Sequence, residues 1–511
     1  MISFKTNSRK KSAMINSFVG LVSLLIPLIL QFYYRKVFLE YLNIELLGLS
    51  GTFDSILGAL SLTELGFQTA IVYCLYKPLK DNNIEEINNI VNILRVIYNI
   101  IGVIFIIIPF ITLPFLHYLI KDIEITNLIC TYFIIISLNS SLSYFLAYKR
   151  CLLFADQKEF ISKIVDLAIN VSFSIIQIIL IICFSNYLLV ISVDVIRVII
   201  SNIIILLICK KIYPYLHKTS FSWEIFRRIW GHVKDIMVLK FAAYVYRSTD
   251  NLLISSFIST IKVGYLANYT IITNKLTMIA NGMLVPISPI IGNLLLEKDK
   301  NNIELIFRTF TFIRYIIASC IVVPTYILMN DLINIWLGSE YVLATSILSL
   351  LMLDVYINLY YTACCDYMGA SGLFSTDKYI AIIGALLNII ISVIGAITIG
   401  VVGVLLGTII SQMFFWISRS YITYKHCFGL FSLKNFINYC IRCIIHLCFI
   451  ILLIFVISRI YSNINHTNSL LDVFIYGIMI VLIVTISIFI VFWKTPEVKF
   501  INSNFIKKLC S

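Results

Sequence analysis

Charge is scarce in this chain: Asp, Glu, Lys and Arg make up 13% of 511 residues, about half the share usual in soluble domains. That excludes a water-soluble globular protein of this size. Proline is sparse as well, with nine residues, so few positions forbid a helix. The alternation of period two that marks a transmembrane barrel strand is missing. The thirteen cysteines lie mostly inside apolar runs, where a thiol acts as a small hydrophobe, so no disulfide framework is visible. Cys440 and Cys443 form a C-x-x-C without a second pair nearby, and no dense His/Asp/Glu group accompanies it. The sequence therefore calls for no metal and no cofactor. Outer connections of about 10–15 residues leave little room for a catalytic loop, which argues against a membrane enzyme such as a polysaccharide polymerase or glycosyltransferase.

What is present is apolar. Hydrophobic residues reach 60% and the mean hydropathy is +0.97. Fourteen runs centre near residues 24, 60, 105, 136, 172, 198, 246, 275, 319, 355, 387, 412, 447 and 482. Each approaches the roughly 20 residues that cross a hydrocarbon core. A backbone in lipid must satisfy its own hydrogen bonds, so the expectation is an all-α integral membrane protein with fourteen transmembrane helices. The first run, Met14–Tyr34, follows Lys5, Arg9, Lys10 and Lys11 and reads as a retained helix rather than a cleaved signal. With both termini on one side, 27 Lys and Arg residues fall on that side and 5 on the other, which orients both termini to the cytoplasm. The net charge of +13 then belongs to a face beside an anionic leaflet, without any role for nucleic acid.

Two phrases recur. Lys80-Asp81-Asn82-Asn83-Ile84-Glu85 is echoed by Lys300-Asn301-Asn302-Ile303-Glu304, the shared N-N-I-E standing 301 − 82 = 219 apart. Leu153–Lys158 is echoed by Leu373–Lys378 at 373 − 153 = 220. Read as loops of an internal repeat, they divide the chain into an N-lobe of six helices (1–209), a basic cytoplasmic linker (210–233), a C-lobe of six helices (234–424), and two final helices with a cytoplasmic tail (425–511). Two pseudo-symmetric lobes that both start in the cytoplasm are the arrangement of parallel-repeat transporters.

Charges inside apolar runs are costly, about 2.5–3.5 kcal/mol each near the bilayer centre on insertion scales, so they mark a wet cavity or a partner. At 100° per residue, Asp54, Ser61, Glu64 and Gln68 fall within about 40° of Ser50 on the second helix. On the seventh, Tyr244, Arg247 and Asn251 share a face with Lys240, and Asp250 flanks it. On the eighth, Asn268 and Lys275 are seven residues apart on one face. Stripes that meet would line an aqueous path, and Lys240, Arg247 and Lys275 would make it cationic, suited to a phosphate-bearing cargo. Asp166, Asp194, Asp354 and Asp366 read instead as interhelical hydrogen-bonding groups, with Asp194–Arg197 a local i,i+3 pair.

The segments S-L-T-E-L-G-F-Q-T-A-I (61–71), L-Y-K-P-L (75–79), Y-R-S-T-D-N-L-L-I-S-S-F-I (246–258), P-I-I-G-N (289–293), I-W-L-G-S-E-Y (335–341), G-A-S-G-L-F-S-T-D-K-Y (369–379) and G-V-V-G-V-L-L-G-T-I-I-S (400–411) carry a resemblance. Together they resemble the polysaccharide (O-antigen, capsule or exopolysaccharide) repeat-unit flippases of the multidrug/oligosaccharidyl-lipid/polysaccharide (MOP) exporter superfamily, over nearly the whole chain. The resemblance implies a MATE- and lipid-flippase-like fold in a bacterial cytoplasmic membrane. It implies translocation of an undecaprenyl-pyrophosphate-linked oligosaccharide by alternating access, coupled to protons or sodium. By position, Arg247 and Lys275, with Lys240, Asn268 and Asn251, match the substrate-binding cavity. Glu64, Asp250 and Asp54 match ion-coupling or gating carboxylates, and the last two helices match a groove for the lipid tail. Glycosyltransferases and a polymerase are the implied protein partners. The alternative on the same fold, a multidrug or cation antiporter, needs an acidic lumen.

Overall fold

Helices appear wherever the apolar runs are long, and no strand occurs among the described residues of the computed structural model, which are 9–60, 67–284, 291, 294, 300–428, 433–463 and 469–501. In chain order the helices are α1 (Arg9–Tyr41), α2 (Ile44–Leu60), α3 (Phe67–Asp81), α4 (Ile84–Thr112), α5 (Leu116–Leu119), α6 (Asn127–Ala147), α7 (Arg150–Ala155), α8 (Glu159–Phe184), α9 (Tyr187–Ile212), α10 (Trp223–Leu253) and α11 (Thr260–Leu284). There follow α12 (Lys300–Trp336), α13 (Thr345–Ala370), α14 (Phe374–Ile399), α15 (Val401–Cys427), α16 (Leu433–Tyr461), α17 (Leu470–Phe492) and α18 (Pro496–Ile501). Side-chain caps start several of them. Asn83 Oδ1 accepts from Glu86 N–H at the head of α4, and Ser469 and Asp472 form a reciprocal capping box on α17.

Among the described residues ten helices are long and apolar enough to cross a membrane: α4 with its extension to Leu119, α6, α8, α9 and α12 to α17. The chain is accordingly a multi-pass membrane protein. The four remaining runs expected as spans coincide with α1, α2 with α3, α10 and α11, which are helical as well. Large apolar side chains stand exposed along α4, α14, α16 and α17, Ile111, Ile397, Phe455 and Ile490 among them, as suits faces turned to acyl chains.

The chain divides into two compact units, Met1–Gly264 and Tyr265–Ser511. In the first, α1 packs on α8, α4 and α9 pack on α6, and α2 and α3 pack on α10. In the second, α15 packs on α13 and α14, and α12 packs on α13 and α17.

One helix of each unit matches the other in length and flanking turns, at an offset different from that of the two phrases. Helix α8 and helix α14 both have 26 residues, and they begin 374 − 159 = 215 residues apart. Each follows a left-handed residue, Gln157 and Gly372, and each is ended by another, Ser185 and Gly400; both pairs are again 215 apart (372 − 157 and 400 − 185). The echoed phrases hold different places. Asn82 and Asn83 form a turn and cap before α4, whereas Asn301 and Asn302 lie within α12. Leu153–Ala155 closes α7, whereas Phe374–Lys378 opens α14. Local phrases in a chain rich in Ile, Asn and Lys recur by composition.

Candidate functional site

In the first unit, ionisable groups gather deep among α1, α2, α8 and α9. Along α2, Leu49, Thr52, Phe53, Ile56 and Leu57 are buried, which leaves Ser50 and Asp54 on the open face. Asp54 is exposed on that face. Asp194 of α9 stands close enough to repel it. Asp194 pairs with Arg197 at 2.8 Å, the i,i+3 pair expected from the sequence, and Arg197 also donates to Asn170 Oδ1 of α8 at 3.1 Å. Tyr187 bonds the Ser50 side chain, and Tyr34 lies within electrostatic reach of Asp194, Arg35 and Arg197. Arg35 is half-buried, and its Nη1 has no hydrogen-bond partner among the described residues. It stands on α1 past the end of the apolar run at Tyr34, because the helix continues to Tyr41. Two arginines and two carboxylates this close together, with two tyrosine hydroxyls beside them, make a group that can exchange partners and hold an ion of either sign.

Helix α10 closes on α2 through Tyr244, whose hydroxyl donates to the Ser55 carbonyl; the ring sits 2.9 Å from where a Cβ on Gly58 would lie, so only glycine leaves room. Asp250 and Asn251 are half-buried on α10. Glu64 and the side chains of Lys240 and Arg247 lie outside the described residues. In the second unit Asn268 is wholly buried on α11, and neither atom of its amide has a hydrogen-bond partner among the described residues. Lys275, two turns on, is half-buried and forms no ion pair among them. A buried amide without partners costs about 1–3 kcal/mol, and such a cost is tolerable where a ligand or water meets it.

The carboxylates expected to serve structure do bond between helices. Asp166 takes both Arg150 Nη atoms at 2.7 and 3.0 Å and the Ser201 hydroxyl at 2.7 Å. Asp366 pairs with the nearly inaccessible Arg314 at 2.6 Å, and Asp354 accepts from Gln412. Sequence reasoning missed a second-unit clamp: Glu497 of α18 binds Arg308 of α12 and Arg442 of α16, each at 2.5 Å. It borders a cavity of about 180 Å³ in which the Tyr360 hydroxyl meets His446 Nδ1 at 2.9 Å. No His/Cys/Asp/Glu group able to hold a metal occurs among the described residues, and Cys443 of the C-x-x-C is buried and receives a hydrogen bond from Tyr360.

No family model and no curated protein sequence matches the chain. Solved structures do. The lipid II flippase MurJ in an inward closed conformation superposes at TM-score 0.67, with 16% identity over 93% of this chain and 99% of that one. An inward-facing multidrug resistance MATE transporter of the MOP superfamily gives 0.60, at 14% identity over 79% and 96%. A point mutant of the Vibrio cholerae MATE transporter VcmN gives 0.54, at 16% over 82% and 98%. The chain has the MATE and MurJ fold. At these identities the likeness concerns the fold alone.

Proposed function

We propose that this protein is a transporter, not an enzyme: a flippase that carries an undecaprenyl-pyrophosphate-linked oligosaccharide across the bacterial cytoplasmic membrane by alternating access. In this reading the ten apolar helices are joined by α1, α2 with α3, α10 and α11 as fourteen spans, with both termini cytoplasmic. The observation that carries the reading is the charged cluster in the first unit, where Arg35, Asp54, Asp194 and Arg197 gather on helices otherwise built for lipid. A pyrophosphate headgroup cannot cross hydrocarbon bare, and a lumen with mobile cations replaces its water while the prenyl tail stays outside. Arg247, Lys275 and Lys240, with Asn251 and the partnerless Asn268, bind the headgroup and first sugars. Glu64, Asp250 and Asp54 couple the cycle to protons or sodium; one charge falling through 100 mV supplies about 2.3 kcal/mol.

The fold likeness supports a multidrug exporter equally. One feature favours the lipid-linked cargo: the cationic set on α10 and α11. Reconstituted into proteoliposomes, the protein should flip a fluorescent lipid-pyrophosphate oligosaccharide, and Arg247→Ala should abolish flipping with insertion unchanged. Undiminished flipping by that variant removes Arg247 from the site, and drug efflux without flipping selects the second reading.

A further inference from the structure

Between Tyr213 and Ser222 the chain leaves α9 and crosses the first turns of α4 before α10 begins. This strap is fastened throughout. The Tyr213 hydroxyl donates to Asp156 Oδ2 at 2.8 Å; burial and that carboxylate push its pKa far above the ordinary tyrosine range, so it remains a donor. Asn88 Nδ2 donates to the Tyr215 carbonyl at 3.2 Å, Asn88 Oδ1 accepts from His217 N–H at 3.0 Å, and Asn92 Nδ2 donates to the Thr219 carbonyl at 2.7 Å. Beneath the strap lies a cavity of about 190 Å³, lined by Asn88, Asn92, Arg95, Lys149, His217 and Lys218 among others.

Three cations line this cavity and no carboxylate does. None of Arg95, Lys149 and Lys218 forms an ion pair among the described residues, although Arg150, Lys158 and Lys163 close by all do. Asn92 is only 5% exposed, yet its Oδ1 has no hydrogen-bond partner among the described residues. The cavity therefore lacks two things, an anion and a donor. Its depth narrows what could bring both. The spans of α6 and α9 end at Ala147 and Ile212, beside it. Helix α4 with its extension has 36 residues, far more than a core of about 30 Å needs, so the turns bearing Asn88 to Arg95 stand at headgroup level.

We propose that this cavity binds the phosphate of an acidic membrane lipid. Arg95, Lys149 and Lys218 take the phosphate oxygens, and Asn92 Oδ1 accepts from a headgroup hydroxyl. The site is separate from the charged cluster and stands whatever the cargo.

The test uses the purified full-length protein and native mass spectrometry with dioleoyl phosphatidylglycerol, dioleoyl phosphatidylcholine and inorganic phosphate as probes. The wild type should retain one more phosphatidylglycerol than Arg95→Gln/Lys149→Gln/Lys218→Gln, with apparent affinity at least tenfold higher, and no such difference for phosphatidylcholine. Lys210→Gln/Lys211→Gln/Arg227→Gln removes as many exposed charges outside the cavity and should retain the lipid. Asn92→Asp, nearly isosteric, should lose it, which keeps the test decisive if the triple variant misfolds. Equal retention by wild type and cavity variants, or equal loss in the control triple, overturns the proposal. Phosphate binding that phosphatidylglycerol cannot displace overturns the lipid source and leaves a soluble phosphate in its place.

Discussion

Two helical hairpins of this molecule share a shape and differ in chemistry. In α8–α9 the seam is polar: Gln177 Nε2 donates to the Val190 carbonyl at 3.1 Å, Arg197 reaches Asn170, and Ser201 reaches Asp166. In α14–α15 the polar contacts lie away from the connecting turn, where Arg419 pairs with Asp377 at 2.7 Å and Asn388 Nδ2 donates to Thr408 Oγ1 at 3.2 Å, and beside the turn the seam is nearly bare. A Cβ on Gly403 would sit 2.1 Å from the Gly395 carbonyl oxygen, and one on Gly407 2.2 Å from Ser392 Oγ, so the backbones touch. One hairpin is held by long side chains that can change partners. The other is held, beside its turn, by contact that allows no adjustment. The seam of long side chains adjoins Asp54 and Asp194, the carboxylates of the charged cluster.

The largest effect expected from breaking this contrast is at the bare seam. Gly403→Leu should cost about 3 kcal/mol or more, the upper end of overpacking, and leave little folded protein after detergent extraction. At the polar seam, Asp166→Ala strands Arg150 but at a site one-quarter to one-third exposed, so screening limits the loss to about 1–2 kcal/mol, read as a lowered thermal midpoint in detergent. Asp194→Asn should move the midpoint least of all and yet slow flipping at least tenfold. If Asp194→Asn destabilises as much as Asp166→Ala while transport persists, the two carboxylates have the same structural role and the contrast fails.

Much of the fold was legible because hydrocarbon imposes one rule on the backbone: centres inferred near 172, 198, 387 and 412 fall within α8, α9, α14 and α15. The match of α8 with α14 was not legible in the phrases, since left-handed turns at Gln157 and Gly372 leave no common residue behind. Of the site, Asp54 and the Asp194–Arg197 pair could be read from spacing. Arg35 could not, because an apolar count ends at Tyr34 while the helix does not. The Glu497 clamp and the strap over α4 join residues 189 and 127 positions apart, and no local pattern announces such partners.

That clamp bears on how the chain can be handled. A single carboxylate beyond the last long helix neutralises two guanidinium groups from helices far apart in sequence. A truncation ending at Thr495 would strip both of their counter-ion and release α12 from α16 at that end. Affinity tags and reporter fusions therefore belong after Ile501, and a shortened version that inserts poorly would be signalling the loss of one acid rather than of a domain.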